Sequence, residues 1–380
     1  MKLFWIRRWI DTTIVDLGRQ MHWSYLPPLL VYLAAGISGL TSIVGTFFIK
    51  EYLGLSAAFL AGLAFWAGIP WVMKMPLGHL VDLVWRWKAW LVYLGAALIA
   101  TSITIMYGLI AHLDWMLQLA SIETWYVTSV LLAPTGYVVQ DVVADAMTVE
   151  AVPTTDDQGR PYPDAEIKAK HTTMQTLGRF SIVSGLVLVS ALNIFMFRDV
   201  ESMSEAQRAA VYARIYLIAL VIPLISVAGV ALGAASLRLR ADRMRREGID
   251  ESEIQRLVHG PAGETEPNLW IFGGSLAFVA FTLSIGLAQI PFAQEIVLIG
   301  SLAIVTFLMQ RLFRELPTNT RNALIGTAVI IFAFRAVPLP GPGATWFEID
   351  MLGFDQHFLS ILTLITSGLA LLGMVVLRPM

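Results

Sequence analysis

AVYARIYLIALVIPLISVAGVALGAAS (residues 210–236), followed at once by LRLRADRMRR (residues 237–246), decides the fold. A helix needs roughly 20 apolar residues, at 1.5 Å each, to cross the ~30 Å hydrocarbon core of a bilayer. The first stretch meets that need. Only helices and closed barrels satisfy their backbone in lipid, and a run without period-2 alternation is a helix. The second stretch carries Arg238, Arg240, Arg243, Arg245 and Arg246, a basic flank of the kind that stays on the cytoplasmic side.

The pattern recurs outward from there in both directions. Apolar runs predict about ten spans, near 26–48, 54–74, 88–111, 119–147, 171–197, 210–236, 268–288, 292–312, 322–340 and 357–377. The chain is 57% hydrophobic and only 14% charged, with a mean hydropathy of +0.68. A soluble domain carries about 25% charged residues. The expected fold class is an all-α polytopic membrane protein. A net charge of −2 points to no nucleic-acid partner, and the absence of cysteine excludes disulfides and thiolate sites. Residues 1–25 mix Lys2, Arg7, Arg8, Asp11, Asp16 and Arg19 with Trp5, Ile6, Trp9 and Ile10. That mixture lacks the apolar core of a cleavable signal and suits an amphipathic helix in the interface.

Basic residues set the expected topology. Lys2, Arg7, Arg8 and Arg19 precede span 1, Lys74, Arg86 and Lys88 follow span 2, and Arg160, Lys168 and Lys170 follow span 4. The arginines after span 6, and Arg311, Arg314 and Arg321 after span 8, fall on the same side. An N-terminus in the cytoplasm places all five groups inside. The longest polar stretch, 237–267, divides the chain, and Asp250 with Glu253 there could cap a short surface helix or lie in a solvated linker.

One internal similarity stands out. Phe47-Phe48 and Leu53-Gly54-Leu55-Ser56-Ala57-Ala58-Phe59-Leu60 resemble Trp346-Phe347 and Leu352-Gly353-Phe354-Asp355-Gln356-His357-Phe358-Leu359 without a gap. Parallel repeats of this kind mark one large transporter class. A second half would then begin near Arg321, with residues 268–312 an inserted helix pair. Met380 aligns with Val81, so the second half is expected to be incomplete after two helices.

The chemistry concentrates at the end of span 4 and the start of span 5. Asp141 and Asp145 are four residues apart and share a helix face with Tyr137 and Thr148, and Glu150 follows. His171, Gln175 and Arg179 share a face of span 5. Asp141 and Arg179 each lie about 14 Å from the cytoplasmic helix ends. Charges at that depth pair or line a wet cavity. The expectation is that Asp141 faces Arg179, with Asp145 nearer Gln175 and His171. The set reads either as a proton relay with an anion clamp or as a charge pair that only ties two helices together. Arg179 keeps its proton, so it would be the fixed charge. Arg335, late in span 9, reads as an interfacial arginine or as a cation at a cavity mouth. Gly36, Ser38, Gly39, Gly95, Ala96 and Ala97 suit close helix packing.

Gly78-His79-Leu80-Val81-Asp82 with Arg86 and Lys88 forms a second motif, between spans 2 and 3. Its glycine suits a tight turn and its aspartate a helix N-terminus. It resembles the cytoplasmic gating loop of the major facilitator superfamily, although Leu83 and Trp85 stand where that pattern has a basic residue and a glycine. No phosphate-binding loop, nucleophile elbow or spaced His/Glu set is present, so no catalytic group, cofactor or metal is expected.

Gln140-Asp141-Val142-Val143-Ala144-Asp145-Ala146, with Glu150 and then Gln175 and Arg179, resembles the folate–biopterin transporter branch of that superfamily. So do Pro70-Trp71-Val72-Met73-Lys74-Met75-Pro76-Leu77-Gly78 and the stretch from Trp346 to Leu359. The muropeptide permease branch shows a similar Gln-Asp-x-x-x-Asp-Ala run. The resemblance covers most of 26–197 and 322–377. With the internal repeat it gives a first six-helix bundle at 26–236, a linker at 237–267, an inserted pair at 268–312 that the resemblance does not cover, and the start of a second bundle at 313–380. It further implies proton-coupled movement of a small organic solute, folate- or pterin-like, across the plasma (inner) membrane. Asp141, Asp145, Glu150 and Arg179 carry over as coupling residues. A muropeptide-type permease and a non-transporting assembly factor with the same fold are the alternatives.

Overall fold

A computed structural model describes residues 18, 21–154, 160–252, 254, 266–288, 290–314, 316–337 and 339–377, apart from the Arg86 side chain. The proposed amphipathic segment at the N-terminus lies almost wholly outside them, as does Glu253. Fifteen helices are used below. They are α1 (Leu26–Ile37), α2 (Leu40–Glu51), α3 (Ala57–Val72), α4 (Lys74–Leu83), α5 (Lys88–Ala111), α6 (Leu113–Leu119), α7 (Ile122–Ala151), α8 (Asp164–Met196), α9 (Glu205–Ala219), α10 (Val221–Arg246), α11 (Leu269–Leu287), α12 (Ala293–Phe313), α13 (Thr318–Arg335), α14 (Pro342–Asp350) and α15 (Gln356–Leu377). The protein is an all-α polytopic membrane protein.

Among the described residues, nine helical segments are long and apolar enough to cross a bilayer. Three of them are broken: α1 from α2 at Ser38–Gly39, α3 from α4 at Met73, and α9 from α10 at Leu220. The span expected at 322–340 forms as α13 but is not one of the nine. Its first turn is Thr318, Asn319, Thr320 and Arg321, and Arg335 ends it, so the apolar stretch between is shorter than a full span.

Helices α1 to α10 build the core. α5 lies along α7, α1 packs on α8 and α10, and α3 and α4 both run against α7. One cluster gathers Val44, Phe47, Ile99, Ile103, Tyr212, Ile215 and Ile222, all buried. A second joins Val31, Val92, Val138, Val143 and Val230 toward the arginine-rich end. Close approach depends on glycine, as the sequence suggested. A Cβ on Gly36 would lie 2.0 Å from the Ile182 carbonyl oxygen, and one on Gly136 would lie 2.6 Å from the Gly95 oxygen. Ala96 is buried in the same seam, but Ala97 faces outward and takes no part.

The repeated stretches fold alike. The Phe48 carbonyl accepts bonds from the Tyr52 and Leu53 amides, and Ile49 accepts from Leu55. At the equivalent places Phe347 accepts from Met351 and Leu352, and Glu348 from Phe354. Gly54 (φ 61°) and Gly353 (φ 68°) supply the left-handed residue that this helix ending requires. The next helix is then capped in both, by Ser56 Oγ from the Phe59 amide at 3.1 Å and by Asp355 Oδ1 from the Phe358 amide at 2.7 Å. The two units meet crosswise: α2 touches α15, and α3 touches α14. Lys50 forms an ion pair with Asp350 beside that contact. Gly54→Ala and Gly353→Ala are each expected to cost about 1 kcal/mol, since both would force a Cβ into the left-handed region. Thermal unfolding in detergent should give similar drops at the two sites; a drop at only one would mean the turns are not energetic equivalents.

α11 and α12 pair with each other, and α11 also packs on α4. There the Asn268 amide donates to His79 Nε2 at 2.8 Å, and the His79 ring lies 5.2 Å from that of Phe272. Beyond α10, Asp250 accepts from the Ser252 hydroxyl and amide, which hold its carboxyl below the usual range. The Arg245 guanidinium does the same for Glu251.

Candidate functional site

α7 is a 30-residue helix whose periodicity stacks Asp141 over Asp145 on one side. That side faces the break between α3 and α4. α4 begins at Lys74, and its ammonium reaches both carboxylates: Nζ lies 2.6 Å from Asp141 Oδ2 and 2.8 Å from Asp145 Oδ2. α1 closes the group from the other side, where the Tyr32 hydroxyl donates to Asp145 Oδ1 at 2.5 Å. Hydrogen bonds to a charged partner are each worth about 1.5–3 kcal/mol net, and apolar surroundings strengthen them. Asp141 is the better enclosed carboxylate, with its side chain 18% exposed against 45% for Asp145.

The expected partner of Asp141 was Arg179, and the structure corrects this. α8, which carries Arg179, packs mainly on α1 and α15 and touches α7 little. Arg179 is exposed, and among the described residues no carboxylate lies within ion-pair distance of it. It acts on Asp141 only through space. Gln175 does reach α7, but it donates to Thr148 Oγ1 at 3.3 Å and not to Asp145. The Thr148 hydroxyl in turn donates to the Asp145 carbonyl at 2.6 Å. His171 is half-buried two turns before Arg179, and the described residues show no bond from it to Asp145.

A cavity of about 120 Å³ adjoins Asp141, lined among others by Tyr32, Ser38, Trp71 and Tyr137. Aromatic faces and a charged edge therefore share one small space. Gln140 also borders it but is 3% exposed and fully engaged. It donates to the Val92 carbonyl at 3.2 Å and accepts from Ser226 at 3.0 Å, which ties α7 to α5 and α10.

Glu150 belongs to a separate group. Nine residues along α7 place it about 13 Å from Asp141, where Lys88 Nζ meets Glu150 Oε2 at 2.6 Å. The same ammonium sits 3.6 Å from the centre of the Trp85 ring. Of the gating-motif residues, Lys88 thus pairs with α7. Gly78 faces Val142 at ordinary contact distance. Asp82 is exposed in the last turn of α4 and caps nothing, since neither following helix start has a side-chain cap. The Arg86 side chain lies outside the described residues. Arg335 is the exposed last residue of α13.

No family model matches the chain, and no solved structure matches at a significant level. One curated protein does. It is a folate-biopterin transporter of Synechocystis. Identity is 24%, over 40% of this chain and 42% of the relative, so the chain spans less than half of that protein's length. Sequence reasoning had found Asp141 and Asp145 but missed Lys74 and Tyr32. Lys74 was counted with the loop after span 2. The signal was present, because a mostly apolar stretch, interrupted by His79 and Asp82, resumes at Met75 and sets the lysine within a 27-residue segment. Nothing in the sequence marks Tyr32 out from the other tyrosines.

Proposed function

We propose that this chain is a secondary transporter that moves a small anionic organic solute, folate- or pterin-like, together with protons. The observation that carries the reading is one ammonium, Lys74, shared by two carboxylates within an apolar span and beside an aromatic-lined cavity. A pair that only tied helices together would need one carboxylate. Two carboxylates against Lys74 and the more distant Arg179 balance in charge. A proton taken up by Asp141 or Asp145 leaves one positive charge in excess, which an anionic solute neutralises. Proton and anion then cross as a neutral pair, and release of the solute favours release of the proton.

The roles follow from position. Asp141 and Asp145 exchange the proton, and Tyr32 holds Asp145 in place. Lys74 and Arg179 hold the solute's negative charge, while Trp71, Tyr32 and Tyr137 offer faces to a flat ring. Gln175 links the site to α8 through Thr148. The Lys88–Glu150 pair lies at the arginine-rich end, which we place in the cytoplasm on the positive-inside rule, with the chain in the plasma (inner) membrane. The solute class rests on the relative's name.

Uptake of labelled folate, pterin and muropeptide into proteoliposomes, with and without an imposed pH gradient, tests the reading. Gradient-dependent uptake of folate or pterin is expected, and it should disappear when Asp141→Asn and Asp145→Asn are combined. Uptake of muropeptide alone would reassign the solute. Uptake indifferent to both the gradient and the double variant would remove the coupling role from these carboxylates. No uptake of any solute by folded protein would favour an assembly factor over a transporter.

A further inference from the structure

A second and larger cavity, of about 550 Å³, lies on the flank of the bundle between α5, α7 and α10, at the arginine-rich end. We infer that it holds one anionic phospholipid, with the phosphate at Arg238 and the upper acyl chain against α7 and α10. This does not depend on the transport reading.

Both walls of the cavity turn from apolar to charged toward the arginine-rich end. On α7, Val143 and Met147 give way to Glu150; on α10, Val230 and Leu237 give way to Arg238. An apolar slot that ends in charge, running along the helix axes, matches an amphiphile standing in the bilayer. Space for it comes from Gly233 and Ala234 on the α10 wall.

The sign of the headgroup follows from which charges are already used. Glu150 is taken by Lys88, and Asp242 by Arg245 at 3.0 Å. Arg238 lines the cavity, is exposed, and has no hydrogen-bond or ion-pair partner among the described residues. Its five N–H donors, and the N–H of Lys88 directed neither to Glu150 nor to Trp85, call for an acceptor-rich group such as a phosphate. Residues 238–246 hold five arginines to one aspartate, which favours the anionic surface of a leaflet. A free phosphate would use the donors but leave the apolar wall uncovered, so the group should carry a hydrocarbon chain.

The test uses the full chain, purified in a nonionic detergent and offered phosphatidylglycerol, phosphatidylcholine or glycerol 1-phosphate, with bound lipid read by native mass spectrometry. One phosphatidylglycerol per chain should be retained. Phosphatidylcholine offers the same phosphate but adds a quaternary ammonium that Arg238 and Lys88 repel, so it should be held roughly tenfold less well. Glycerol 1-phosphate should not displace the lipid. Arg238→Gln should lower phosphatidylglycerol to the level of phosphatidylcholine. Ala234→Leu, which fills the slot, should exclude both while the lipid-free melting temperature stays unchanged. Equal retention of the two lipids by the unmodified protein would overturn the inference, without reliance on any variant. Displacement by glycerol 1-phosphate, or retention indifferent to Arg238→Gln, would overturn it as well.

Discussion

Gly36→Val should be the most damaging single substitution among the helices α1 to α10. The new Cβ would sit 2.0 Å from a main-chain oxygen of α8, and 2.8 Å from its carbon. A flexible side chain could swing away from such a contact, but a helix backbone cannot. α1 and α8 would have to separate, and Gly185, which meets Gly36 from the other side, shows that no slack exists there. Overpacking a tight core costs about 1–3 kcal/mol, and a clash with backbone belongs at or beyond the top of that range. Thermal unfolding in detergent should show a large fall in melting temperature or no folded protein. Gly68→Val is the control, since nothing lies within 4 Å of a Cβ there. If the two variants melted alike, the tight α1–α8 seam would not be what stabilises the bundle.

Lys74→Gln should be the most damaging substitution for transport. Among the described residues it removes the only cation in contact with Asp141 and Asp145, and it leaves two like charges facing one another. Truncating one member of a hydrogen-bonded charge pair costs about 2–5 kcal/mol, and the partial exposure of Lys74 argues for the lower end. Charged wholly to the transport step, about 3 kcal/mol corresponds to a loss of roughly a hundredfold in uptake rate. Adding Asp145→Asn to Lys74→Gln removes the repulsion and should recover the lost stability while leaving uptake independent of the pH gradient. Wild-type uptake by Lys74→Gln would mean that the ammonium only fills space.

Fold class was legible because it depends on composition and run length, which lipid imposes on every span alike. The helix-packing glycines were legible for a similar reason, since small residues in an apolar run have few other uses. The aspartates could be found from depth and spacing. Their partner could not, because pairing depends on which helices touch. Two charged faces at matching depth, on α7 and α8, looked complementary, yet α8 turns toward α1 and α15. Lys74 escaped notice because a lysine between two prolines reads as a loop, whereas the chain only breaks at Met73 and continues as α4. Asp82 shows the opposite error: a motif supplied a cap, but α4 runs on through it.

The break at Met73 has a mechanical consequence. α4 is a rigid ten-residue arm, about 15 Å long, pivoted next to Lys74. A tilt of about 10° at the pivot sweeps its far end through roughly 2.6 Å. Beyond its middle, the arm carries His79, which grips the start of α11. A tilt at that pivot would move Lys74 little, but would carry His79, and with it the start of α11, through about 1.4 Å.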